Sequence, residues 1–281
     1  KNKKKKKKKK KKKMKTKRKR GKPPTSFFAK TSPWPKRRML AGEEQGLRSL
    51  RATKTIYVPE VLACEDRQDG IEGSWLLLEY VEMGGRVNQR SLGHALAKLH
   101  RYPPVFPEGQ KGRFGFVCDN TCGTAIQKNG WTEDWVEFFR EKRMQYQITL
   151  ASDDKLTDLW GRVLEKTNNL HSLFEDITVT PSLIHGDFWS GNYGALRGGK
   201  LVIFDPAAYY GHHEAEWGMA WCAGLTSSFW KGYRSIIPED PGFDTRQLMY
   251  EAYQKLNHLN LHGSMYYADA CYLLEELLRR T

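Results

Sequence analysis

Two short apolar runs, Ser182-Leu183-Ile184 and Leu201-Val202-Ile203-Phe204, each lead into an acid. Asp187 lies in the loop after the first run and Asp205 directly follows the second. Runs this short, with the turn Arg197-Gly198-Gly199-Lys200 between them, read as strands rather than helices. The chain must therefore fold so that two buried strands close around one polar loop and bring two carboxylates, 18 residues apart in sequence, to it. Asn192 stands five residues after the first acid. Phosphoryl transfer needs these residue types. One carboxylate accepts or orients the proton of the attacking hydroxyl, and oxygen donors hold Mg²⁺ against phosphate charge. Asp187 suits the first task; Asn192 and Asp205 suit the second. His185 reads as structural, its ring bracing the loop.

Composition narrows the setting. The formal net charge of the 281 residues is +15, but 18 of the 47 Lys and Arg fall in residues 1–22, which hold no acid. The remainder carries 29 basic against 32 acidic residues, a net −3. The globular part is thus mildly acidic, and nucleic-acid binding does not follow from the overall charge beyond nonspecific contact by the tail. Residues 1–22 cannot bury a core and read as a disordered tail, either a solvated low-complexity segment or a polyanion-binding or nuclear-targeting one. No stretch reaches the roughly 18 apolar residues of a membrane helix, and charge rather than an apolar region follows Met14, so neither a membrane span nor a secretory signal is expected. Cys64, Cys118, Cys122, Cys222 and Cys271 are odd in number and irregularly spaced, which favours free thiols in a reducing compartment. Cys118 and Cys122 have no second ligand pair nearby and read as ordinary thiols rather than a zinc site.

The rest of the chain divides into two parts. Residues 23–36 carry four prolines. A small α+β region follows, with a strand at Ser26–Lys30, a helix around Glu43–Arg51 whose face is Leu40, Leu47 and Leu50, and a strand at Ser74–Val81 that ends in Glu82-Met83-Gly84-Gly85. From there helices dominate. One carries Leu92, Ala95, Leu96 and Leu99 and ends before Pro103-Pro104. Another opens with an acidic turn after Thr132 and carries Trp135, Phe138 and Phe139. Further helices run over Leu156–Phe174, Leu248–Leu259 and Tyr266–Leu278.

The loop HGDFWSGN at 185–192, with FDPAAYYGHHEAEWGMAW from Phe204, resembles the fructosamine (ketosamine-3-) kinase family, within the aminoglycoside-phosphotransferase-like branch of the protein-kinase fold. GRFGFVCDNTCGTAIQKNGWTEDWVEFFREKRMQYQ and LNHLNLHGSMY are similar to the family's central segment and C-terminal helix, especially in plant and bacterial members. The resemblance implies a two-lobed α+β fold with a truncated, β-rich small N-lobe and a larger, mainly helical C-lobe. The expected division is a tail over 1–22, a partial N-lobe and hinge over 23–83 on the ATP side, and a C-lobe over 84–281 on the substrate side. It implies Asp187 as catalytic base and Asn192 and Asp205 as Mg²⁺ ligands. Lys30 in FFAK would contact ATP phosphates. Glu43 in AGEEQGL would be its helix partner; neighbouring Glu44 points about 100° away, so one of the two faces the lysine. Glu79, Tyr80 and Val81 would hold adenine through the backbone. Trp189, Trp217 and Trp221 are candidates for the sugar pocket but read first as core aromatics, and His212 and His213 beside Glu214 read as structural.

The implied reaction uses ATP and Mg²⁺ to phosphorylate the sugar 3-hydroxyl of a ketosamine, either a glycated lysine or a small ketosamine. The product then sheds its sugar. A cytoplasmic protein is expected, with plastid and nucleus as alternatives. One departure is visible: only Gly21 precedes Lys30, so the family's glycine-rich hairpin over the ATP phosphates has no counterpart in residues 1–26. Two other readings stay open, a same-fold kinase acting on aminoglycosides or choline, and a catalytically weak binding protein.

Overall fold

The structure is a computed structural model that describes residues 26–35 and 39–281. The basic tail expected over 1–22 and the segment expected to lack the glycine-rich hairpin lie outside the described residues, apart from Ser26.

The N-terminal region is a three-stranded antiparallel sheet with one helix. Strand β1 (Phe27–Ser32) pairs with β3 (Ser74–Glu79), and β2 (Val61–Asp66) lies on the other side of β3, giving the order β1-β3-β2. In β3 the residues alternate, with Ser74, Leu76 and Leu78 buried. Strand β2 escaped the sequence reading for a physical reason: a register shift between Val61 and Ala63 interrupts the two-residue period that marks a strand. Helix α1 (Leu40–Ala52) buries Leu40, Leu47 and Leu50, the face expected from the sequence. Among the described residues no strand pairs with the outer edge of β1, where Phe27 and Phe28 are exposed.

The remainder is mainly helical. Helix α2 (Gln89–His100) starts at Asn88, whose side chain accepts from Ser91 N at 2.9 Å, and buries Leu92, Leu96 and Leu99. The helix expected after Thr132 begins at Trp135, with Asp134 accepting from Glu137 N at 2.7 Å, and continues through a π-helical turn (Arg140–Gln145) to Ala151. The helix expected to reach Phe174 stops at Lys166, because Asn168, Asn169 and Leu170 in succession adopt positive φ and end the helical path. The long helices Phe243–His262 and Tyr267–Arg280 complete the region. Their packing surrounds an aromatic core in which Trp135 Nε1 donates to the Tyr250 hydroxyl at 3.1 Å. No helix among the described residues is long and apolar enough to cross a membrane.

Two small antiparallel pairs carry the acids. Ser182–Ile184 pairs with Tyr209–Gly211, and Tyr193–Ala195 pairs with Leu201–Ile203. All five cysteines are free.

Candidate active site

The loop from His185 to Asn192 is held shut by its own polar groups. His185 is fully buried. Its Nε2 donates to Phe204 O at 2.9 Å, and its Nδ1 accepts from Asp187 N at 3.4 Å. The ring thus ties the loop to the strand that delivers Asp205, as the bracing role expected of it requires. Gly186 has φ 79°, and a Cβ there would stand 2.2 Å from Ala207 O, so both conformation and space call for glycine. The next residue, Asp187, presents its carboxylate to Asn192.

Asn192 draws the two acids together. Its Nδ2 donates to Asp187 Oδ2 at 3.0 Å, to Asp187 O at 2.9 Å and to Asp205 O at 3.3 Å. Its Oδ1 makes no hydrogen bond among the described residues. Burial raises the Asp187 carboxyl above its usual range, against the pull of His185 and Asn192.

Lys30 reaches across from β1. Its Nζ lies 2.7 Å from Glu43 Oε1 and 2.7 Å from Asp205 Oδ1. Burial lowers its pKa, but the two carboxylates outweigh burial and hold it above the ordinary value. Glu43 is therefore the acid that faces Lys30, while Glu44 pairs with Arg48 on the next turn. The Asp205 carboxylate and the Asn192 amide oxygen are of the donor types that a hard divalent cation takes.

Beside Asp205 opens a cavity of about 400 Å³ lined by Phe28, Leu78, Tyr80, Val81, Met83 and Phe204. A mostly apolar lining of this size fits a flat heteroaromatic base. Among the three hinge residues the fit is uneven. Glu79 N donates to Glu60 O at 2.9 Å, and the Glu79 carboxylate accepts from the Tyr57 hydroxyl and from Glu60 N, so that amide and side chain belong to the sheet. The amides of Tyr80 and Val81 make no hydrogen bond among the described residues. A larger groove, about 890 Å³, lies behind the hinge among Arg48, Arg51, Lys54 and Lys200, and none of the site acids lines it.

Sequence reading missed the residue that anchors the loop. Glu216 is 2% exposed. Its Oε2 accepts from His185 N at 2.6 Å and from His100 Nε2 at 3.2 Å; its Oε1 accepts from Gly186 N at 2.9 Å. Burial opposes ionisation, but the hydrogen bond from His100, the electrostatic pull of the two imidazoles and the His185 amide hold the Glu216 carboxyl below its usual range. A second acid two residues after Glu214, set between Ala215 and Trp217, was the signal available. The tryptophans divide: Trp217 is core, at 1% exposure, while Trp189 and Trp221 are each 41% exposed. Ser190 N donates to Cys222 O at 3.3 Å, which links the loop to the helix that bears Trp221.

A family model for fructosamine kinase matches residues 2–280. The chain belongs to the fructosamine kinase family. It is 41% identical over 258 residues to the chloroplastic protein-ribulosamine 3-kinase of Arabidopsis thaliana, an alignment spanning 90% of this chain and 76% of that one. It is 34% identical over 265 residues to the ketosamine-3-kinase of Mus musculus, spanning 86% and 84%. A crystal structure from Haemophilus somnus 129PT, of a protein provisionally named a fructosamine-3-kinase, superposes with a TM-score of 0.75 at 25% identity, covering 90% of this chain and 83% of that one. The two-lobed kinase-like architecture expected from the sequence is thus the fold of this family member, and ATP is the phosphoryl donor that a kinase of this family uses.

Proposed function

We propose that this kinase transfers the γ-phosphoryl group of ATP to the sugar 3-hydroxyl of ketosamines, ribulosamines and fructosamines on glycated amines being the substrate class. The observation that carries this reading is that Asn192 ties Asp187 to Asp205, which itself lines a base-sized cavity, in a chain that aligns over most of its length with ribulosamine and ketosamine 3-kinases.

In this reading the adenine lies between Phe28 and Phe204, with the amides of Tyr80 and Val81 at its edge and Glu79 contributing through the sheet. Lys30, braced by Glu43, meets the phosphates. Asp205 and the Asn192 side chain would hold Mg²⁺, which would supply charge neutralisation to the phosphates. Asp187 takes the proton of the sugar hydroxyl as its oxygen bonds to phosphorus, and ADP departs. A carboxyl raised by burial is a stronger base than an ordinary one, which suits that task. Residues 23–83 form the nucleotide side and 84–281 the acceptor side. The chloroplastic name of the Arabidopsis relative supports a plastid location.

The test is ATP consumption by the full chain with a ribulosamine, a fructosamine, choline and an aminoglycoside as acceptors. Turnover with the ketosamines is expected. Turnover confined to choline or aminoglycoside would overturn the substrate class, and nucleotide binding without turnover on any acceptor would favour the weak binding protein.

A further inference from the structure

Beyond the active site, a chain of polar side chains runs from Glu216 to a second cavity. His100 Nε2 meets Glu216 Oε2 at 3.2 Å, His100 Nδ1 meets the Tyr233 hydroxyl at 2.8 Å, and that hydroxyl meets His213 Nδ1 at 3.2 Å. An ionised carboxylate only accepts, so His100 Nε2 carries the proton. The Tyr233 hydroxyl thus holds one ring nitrogen of each histidine. His213 Nε2 is the nitrogen that stands outside this chain.

That nitrogen lies beside a carboxylate. Asp240 Oδ2 is 3.8 Å from His213 Nε2, too far for a hydrogen bond. A ring nitrogen and a carboxylate oxygen at this spacing can flank a cation. In a tetrahedral zinc site with bonds of about 2.0–2.1 Å, neighbouring ligand atoms stand roughly 3.4 Å apart. His212, His213, Glu214 and Asp240 each offer a ligand atom, all within 4.8 Å of one another. Their availability differs. His212 Nδ1 accepts from the Tyr250 hydroxyl at 2.8 Å, that hydroxyl itself accepting from Trp135, so His212 is structural as the sequence suggested. Both oxygens of Glu214 accept from Arg246, at 2.7 and 2.8 Å, though each keeps a further lone pair. Asp240 has no Lys or Arg ion pair among the described residues, so its charge is the uncompensated one in the group. The cavity here measures about 460 Å³ and is lined by His213, Asp240, Thr178, Thr180, Gln110 and Arg101, which gives an ion a route in.

We propose that His213 Nε2 and the Asp240 carboxylate, with Glu214 as third ligand, bind a divalent transition metal of the zinc type. Imidazole with carboxylate suits zinc or its soft-borderline neighbours, whereas the oxygen pair at Asp205 and Asn192 suits Mg²⁺, so the two sites do not compete for one metal.

The test is a Zn²⁺ titration of the full chain by calorimetry in excess Mg²⁺, repeated with Co²⁺ to read its ligand-field absorption. One equivalent should bind to the parent. His213→Ala and Asp240→Asn should each weaken that binding at least tenfold and remove the Co²⁺ band. His262→Ala, at the end of a different helix where His258 and His262 lie one turn apart, should leave it unchanged. Asp240 is at the protein surface, so its variant decides the matter if His213→Ala fails to fold. Zinc affinity unaltered in Asp240→Asn, or lost only in His262→Ala, would overturn the proposal.

Discussion

Lys30 Nζ stands 2.7 Å from Asp205 Oδ1, so the strand lysine of one lobe is bonded directly to the acid that ends a strand of the other. The same ammonium holds Glu43 at 2.7 Å. Lys30→Met leaves both carboxylates without their cation and removes a phosphate contact. Two charge-assisted bonds, at about 1.5–3 kcal/mol each, correspond to a loss of at least about 100-fold in kcat/KM for ATP. Steady-state kinetics at saturating acceptor check this, and retention within threefold would remove Lys30 from the nucleotide site.

Asp187→Asn should separate chemistry from stability. Turnover should fall by roughly three powers of ten or more, since base catalysis and positioning are lost together. Nucleotide affinity should hold within threefold. The stability sign is opposite. The folded-state pKa of Asp187 is raised, so the fold prefers the protonated acid, and the stability this confers is present at low pH and lost as pH rises through the folded value. Removing the charge should leave the neutral-pH Tm unchanged or higher. Turnover within tenfold of the parent would sink the assignment.

Much of this was legible because phosphoryl chemistry restricts residue type so tightly. Asp187, Asn192 and Asp205 stood out by identity and order, and Lys30 with Glu43 through the resemblance of FFAK and AGEEQGL to the family's strand lysine and its helix partner. The helix faces of α1 and α2 followed from their leucine spacing. Strand β2 was hidden by its bulge, and the stop at Lys166 by three left-handed residues whose side chains do not announce that conformation. Glu216 was missed because its partners are backbone amides about 30 residues earlier, which no local pattern records.

Glu216→Gln tests that anchor. The folded pKa of Glu216 is lowered, so its contribution is complete above the ordinary glutamate range and is lost as pH falls through the folded value. At pH 7 the variant should be less stable by about 1.5–3 kcal/mol, one charged hydrogen bond's worth, in urea unfolding. The gap should narrow at pH 3. A pH-independent difference would mean the amides do not depend on its charge.

Asp205→Asn should abolish the gain in nucleotide affinity that Mg²⁺ brings while leaving Mg²⁺-free binding within a few fold, because an amide is a poor substitute for a carboxylate at a hard cation. Paired nucleotide titrations with and without Mg²⁺ decide it. A variant that keeps the full Mg²⁺ effect would place the metal elsewhere.

The conformation of Asp205 limits what can replace it. Its φ is 57°, in the left-handed region where only Gly, Asn and Asp sit with little penalty. The position is therefore filtered twice, once by the charge of the side chain and once by the shape of the main chain. A saturation library at 205 should fall into three groups. Gly and Asn should fold as well as the parent and lose metal-dependent binding. Val, Ile and Thr should lose folding as well, with a penalty of about 1–2 kcal/mol from the backbone alone. Glu should retain charge yet fail on conformation. No single substitution satisfies both filters, so this site can be inactivated by one mutation in many ways but rebuilt by one only through reversion.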